Sequence, residues 1–151
     1  MNDAAGVDVV RARAEAMWEE DRATAGLGMR LDDVAPGRAR LSMTITEAMA
    51  NGHGICHGGF IFALADSAMA FVVNPRGEPA VAQHASISFI RPAQVGEVLV
   101  ADATERMHVR RSGIYDVRVS TADGELVAEF RGHSRTIRPL PPSPSRDGTG
   151  R

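Results

Sequence analysis

The reading of the chain turns on one stretch. It is Asn51-Gly52-His53-Gly54-Ile55-Cys56-His57-Gly58-Gly59, followed by Phe60-Ile61-Phe62-Ala63-Leu64-Ala65-Asp66-Ser67-Ala68-Met69-Ala70-Phe71-Val72-Val73. From Phe60 to Val73 every residue is apolar except Asp66 and Ser67, and Asn74-Pro75-Arg76-Gly77 closes the run. The run falls short of the roughly 20 apolar residues a bilayer demands, and a helix apolar all round belongs inside a protein. It therefore predicts a buried central helix carrying one carboxylate. A lone buried carboxylate is costly unless it is partnered or put to use, which makes Asp66 the first candidate for chemistry.

Upstream of that helix, Val10, Ala14, Met17, Trp18, Asp21 and Ala25 recur near a 3.6 period and predict a helix over Val7–Ala25, with Asp21 the polar exception and Gly26 and Gly28 at its end. Met29–Val34 reads as a short strand and Pro36-Gly37 as a turn. Ala39, Leu41, Met43 and Ile45 then alternate with Arg40, Ser42, Thr44 and Thr46, giving a half-buried strand and a hairpin, and Glu47–Cys56 is a loop into the central helix. Downstream, Ala85, Ile87 and Phe89 alternate with His84, Ser86 and Ser88 in a strand over Ala80–Ile90. Glu97–Arg111 is a long strand, Ser112-Gly113 a turn, Ile114–Thr121 the returning strand, Asp123-Gly124 a hairpin and Leu126–Ile137 the last strand. Prolines 139, 141, 142 and 144, among Ser, Gly and Thr, predict a disordered tail over 138–151 after a single domain over 1–137. Strands joined by tight turns are antiparallel. An apolar helix to be wrapped and a sheet with one apolar face to be covered satisfy each other if the sheet curls round the helix, an α+β architecture.

Composition narrows the function classes. The 151 residues are 44% hydrophobic and 24% charged, an ordinary globular balance. A net charge of −2 argues against a nucleic-acid binder. All 17 basic residues are arginine, suited to bidentate phosphate contacts, although genome composition produces the same bias. One cysteine excludes an internal disulfide and points to an intracellular, cytoplasmic setting, and no signal-peptide pattern opens the chain.

Asn51-Gly52-His53, Cys56-His57-Gly58-Gly59, Leu64-Ala65-Asp66 and Ala68 together resemble the hotdog-fold acyl-CoA thioesterases of phenylacetic-acid degradation, the PaaI type. Phe89-Ile90-Arg91-Pro92, Gly113-Ile114-Tyr115-Asp116 and Phe130-Arg131-Gly132 carry the likeness over roughly Trp18–Ile137. The resemblance implies a hydrolase for aryl-acetyl coenzyme A, phenylacetyl-CoA or a hydroxylated relative. In that family the acid matching Asp66 acts as general base or nucleophile, and the amide matching Gly58 polarises the thioester carbonyl. The positions of His57 and Asn51 help hold the carbonyl and the water. It further implies a homodimer with sites at its interface, often paired into a homotetramer, and no cofactor, coenzyme A being part of the substrate.

The residues support that chemistry without the family. Hydrolysis needs an activated water or nucleophile and a place for the developing oxyanion. Asp66 supplies the first, and the amides of a helix start opened by Gly58 and Gly59 supply the second. Eight residues at about 1.5 Å each put these groups roughly 12 Å apart along one helix, whereas both must reach reacting atoms within about 3 Å. If both act, they come from different chains, at a two-fold interface. A buried Asp also serves as a purely structural hydrogen-bonder. His53, Cys56 and His57 lack the further ligands of a metal site, so no metal is expected, and Cys56 reads as a packed thiol. His84 and His133 read as ordinary strand residues. Arg91, at a strand end, and Arg110-Arg111-Ser112-Gly113, at a hairpin, are the candidates for coenzyme A phosphates. The rival readings are a hydratase or dehydratase on the same fold and a non-catalytic acyl-CoA binder.

Overall fold

The computed structural model describes residues 3–137; the tail expected over 138–151 lies outside the described residues. In chain order the elements are α1 (Asp3–Glu20), α2 (Arg22–Gly26), β1 (Met29–Ala35), β2 (Arg38–Thr44), α3 (Gly58–Val73), β3 (Ala80–Phe89), β4 (Val98–Val109), β5 (Ser112–Thr121) and β6 (Leu126–Thr136), with 3-10 turns at Glu47–Met49 and Asn74–Arg76. The strands form one six-stranded sheet in the order β1-β2-β4-β5-β6-β3, and every neighbouring pair is antiparallel. The chain leaves the sheet one strand from its β1 edge, crosses its face as α3, and re-enters at the opposite edge as β3. That crossing lays α3 over the concave side, where it packs against all six strands.

Alternation decides which side chains meet the helix. Leu41 of β2, Leu99 and Ala101 of β4, Tyr115, Val117 and Val119 of β5 and Ala128 of β6 are wholly buried, as are Leu64, Ala65, Ala68 and Phe71 of α3. Each large apolar side chain removed from water contributes about 1.5–3 kcal/mol, so this interface dominates the stability of the fold. Trp18 of α1 seals its end, edge-on to Phe71 at 5.5 Å between ring centroids. Gly132 allows the close approach of α3 to β6: a Cβ there would run into the Met69 sulfur and meet Phe130 Cε1 at 2.9 Å.

Four sequence expectations change. The N-terminal helix breaks at Asp21, whose Oδ1 accepts the Thr24 N–H at 3.0 Å and so caps α2. The polar exception on the apolar face is a helix start. The β4–β5 turn is Arg110-Arg111, not Ser112-Gly113: Ser112 is already paired with Val109, and Arg110 takes the left-handed conformation (φ 55°). Gly113 is instead needed for packing, because the Tyr115 ring lies against its Cα. The central helix begins at Gly58 and is not buried all round, since Gly59, Ala63, Asp66 and Ala70 form a stripe the single chain leaves partly open. Finally, with the 3-10 turn after it, the helical stretch Gly58–Arg76 is long and apolar enough to cross a membrane by length and composition, so length does not exclude a span; in the structure half of it is buried inside the protein.

Candidate active site at the central helix

The loop before α3 is pinned from both sides. His57 N–H donates to Met49 O at 2.8 Å and Cys56 N–H to Ala93 O at 2.8 Å. Within the loop, Asn51 Oδ1 accepts the N–H of His53 at 2.9 Å and of Ile55 at 3.4 Å. Asn51 thus builds the loop that presents the helix start. His57 is the N-cap, extended at φ −61° and ψ 131°, and its Nδ1 accepts the Gly59 N–H at 2.9 Å. An accepting Nδ1 assigns the ring proton to Nε2, so the exposed edge of His57 is a donor. Phe60 N–H turns back to His57 O at 3.0 Å. The Gly58 N–H donates to no atom among the described residues. It is an orphan donor at the positive end of the helix. The Phe89 ring sits over it so closely that a Cβ on Gly58 would lie 2.8 Å from Cζ.

Asp66 lies two turns further on, in the open stripe and half-buried rather than sunk in the core. Its carboxylate makes no hydrogen bond or ion pair among the described residues, and burial pushes its pKa up. It lines a cleft of about 180 Å³ between α3 and the β3–β6 edge, together with Met69, Asn74, Ala80, Ala82 and Ser134. The sequence reading missed Asn74 and Ser134. Asn74 Oδ1 accepts the Ala80 N–H at 3.0 Å and Nδ2 donates to Ala70 O at 3.2 Å, clasping the helix end to β3. The Asn-Pro turn signal marked this residue; the inward face of β6 marked Ser134. A larger cleft, about 720 Å³ between α1 and β1, contains no residue of the 51–73 block.

The other candidates separate. Cys56 is buried and burial pushes its thiol pKa up, against a thiolate nucleophile. Among the described residues no group of three or more His, Cys, Asp and Glu gathers as a metal site. Arg91 is held by Glu97 at 2.9 Å and Glu125 at 3.0 Å, and its guanidinium keeps the Glu97 carboxyl below the usual range. Arg110 and Arg111 are exposed at the β4–β5 hairpin tip, where Arg111 Nη2 donates to Thr136 O at 2.9 Å; Ser112 is half-buried beside them and Gly113 is buried. β5 and β6 pair there as Ser112 with Arg135, and β6 meets the start of β3 as Thr136 with Ala80, so this hairpin stands near the C-terminal end of α3, away from Gly58.

An antiparallel sheet curled round one central helix is the hotdog fold, and the protein is an α+β hotdog protein. The thioesterase superfamily family model matches residues 53–128. The chain is 40% identical over 124 residues to the acyl-coenzyme A thioesterase PaaI of Escherichia coli K12, covering 82% of this chain and 89% of that protein. The solved structure of E. coli PaaI, from the phenylacetic acid degradation operon, superposes with a TM-score of 0.86 at 38% identity over 88% of this chain and 96% of that one. That of the TT0310 protein of Thermus thermophilus does so with a TM-score of 0.75 at 38% identity over 78% and 99%. The chain belongs to the thioesterase superfamily, in its PaaI-type branch, and is a thioester hydrolase.

Proposed function

We propose that the protein hydrolyses acyl-CoA thioesters, with an aryl-acetyl group such as phenylacetyl or hydroxyphenylacetyl as the acyl part, to the free acid and coenzyme A. Asp66 is the general base or nucleophile and the Gly58 N–H receives the oxyanion. The Nε2–H of His57 reaches toward the same carbonyl, while Asn51 supports the loop that carries both. Water is the only co-reactant, and no metal or cofactor takes part. The observation that carries the reading is the pairing of two unsatisfied groups on α3: a half-buried carboxylate without a partner and an amide without an acceptor among the described residues.

The roughly 12 Å between Gly58 and Asp66 along the helix calls for a second chain. β3 is a ten-residue edge strand with exposed apolar groups, Val81 at 48% and Phe89 at 51%, followed by Ile90 at 56%. Such an edge is a template for strand pairing. A two-fold there sets the two α3 helices antiparallel, with the start of one beside the middle of the other, covers the open stripe, and gives two sites per dimer. Pairing of dimers into a tetramer is compatible with this arrangement. Arg110 and Arg111, exposed at the hairpin tip with Arg111 held to Thr136 O through Nη2, are the candidates for the coenzyme A phosphates; the carboxylates around Arg91 weigh against it.

The test is release of free thiol from aryl-acetyl, short-chain and long-chain acyl-CoA substrates. Preference for aryl-acetyl-CoA is expected. Thiol release from the other chains alone overturns the substrate assignment, and no release from any overturns the hydrolytic one in favour of a binder or hydratase.

A further inference from the structure

The outer face of the sheet carries a pair of histidines that the hydrolytic site does not use. His84 of β3 and His133 of β6 are direct cross-strand partners, with ring centroids 5.2 Å apart and planes tilted by 50°. Their meeting depends on an irregularity. Ala82 pairs with Ser134 and lines the Asp66 cleft on the inner face, so a regular strand would turn residue 84 inward as well. The register shift between Ala82 and His84 leaves Gln83 extra and reverses the parity. Ala85 and Ile87 then face inward opposite Gly132 and Phe130, and His84 faces outward opposite His133.

We infer that His84 and His133 form a two-imidazole chelate for a divalent transition metal of the zinc or copper type. A zinc–nitrogen bond of about 2.0–2.1 Å plus about 1.1 Å from ring nitrogen to ring centre puts each centroid about 3.2 Å from the ion, and at a tetrahedral angle the centroids lie about 5.2 Å apart. The observed separation is 5.2 Å. The surroundings select the metal class. Arg131 and Arg135 flank His133 on its strand, and Asp116 is already taken by Arg131 at 2.6 Å and Arg106 at 3.4 Å. Among the described residues no free carboxylate is offered there, so a hard calcium or magnesium ion gains nothing, whereas imidazole nitrogens suit zinc, copper and nickel. Water completes the coordination. The site lies across the sheet from Asp66 and plays no part in hydrolysis; it joins the edge strand to its neighbour. Pairing of a second chain along β3 uses groups in the plane of the sheet and leaves this outer face open.

The probe is zinc chloride added to the full chain without an affinity tag, read by titration calorimetry and by thermal melts. One zinc per chain and a melting temperature that rises with zinc are expected. His84→Asn or His133→Asn should each weaken binding about tenfold or more, since one imidazole loses the chelate advantage. Modification of histidines by diethyl pyrocarbonate, mapped by mass spectrometry on the wild-type protein, should be suppressed by zinc at His84 and His133 and not at His53, His57 or His108; this reading stands even if a variant fails to fold. No binding at about 1 mM zinc, or protection confined to His53 and His57, overturns the inference. Neither result bears on thiol release, which is measured separately.

Discussion

Complementation between two inactive variants tests the proposed shared site most directly. Gly58→Pro removes the proposed oxyanion donor with little harm to the fold. Proline is favoured at the first helical position, and His57 already sits at φ −61° and ψ 131°, in the region a residue before proline prefers. The lost N–H donates to nothing among the described residues. The new ring must displace Phe89, whose nearest atom is the far end of a side chain 51% exposed. Loss of one oxyanion donor costs about 10²–10³ in kcat, roughly 3–4 kcal/mol. Asp66→Asn removes the proposed base or nucleophile, an expected loss of about 10²–10⁴. If each site takes Gly58 from one chain and Asp66 from the other, a mixed dimer of the two variants has one site with both groups intact and one with neither. Random assortment makes about half the dimers mixed, so co-expressed variants should recover about a quarter of wild-type activity per chain. Each variant alone stays near or below about 1%. Thiol release is the assay. Recovery no greater than the sum of the separate variants, in a sample shown by mass spectrometry to contain mixed dimers, would refute the reasoning.

Two further outcomes follow from the same geometry. Because burial raises the Asp66 pKa in the folded state, the native protein holds a proton there that the unfolded chain has released, and stability falls as pH rises from the ordinary aspartate range through the raised value. Asp66→Asn should therefore match wild type in strongly acid melts and exceed it at neutral pH, while losing hydrolysis; a variant less stable than wild type at neutral pH contradicts this. Gly132→Ala drives a methyl into Met69 and toward Phe130, an overpacking cost of about 1–3 kcal/mol. The melting temperature should drop by about 3–10 °C, and an unchanged melt would show that α3 and β6 are not in close contact.

The sequence by itself determined the inventory of elements apart from the break that makes α2 a separate helix, because period 2 and period 3.6 are local properties of the chain. Leu41 and Met43 against Ser42 and Thr44, or Phe60–Val73 with its single acid, can be read without knowing what lies opposite. The 51–73 block also marked Gly58 and Asp66, since a helix start and a lone carboxylate announce themselves locally. Tertiary structure alone decided which strand would be an edge, and so why α3 keeps an open stripe: β3 reads like any half-buried strand until the order β1-β2-β4-β5-β6-β3 leaves its outer hydrogen-bonding side unpaired. Partners distant in sequence also settled the rest. Arg91 looked free until Glu125 and Glu97 closed on it. The turn moved to Arg110-Arg111 because Gly113 was required beneath Tyr115. His84 met His133 only because the register slipped at Gln83. Local pattern fixes the direction of a side chain relative to its own backbone; what that side chain meets is set by residues dozens of positions away, and no short window of sequence contains them.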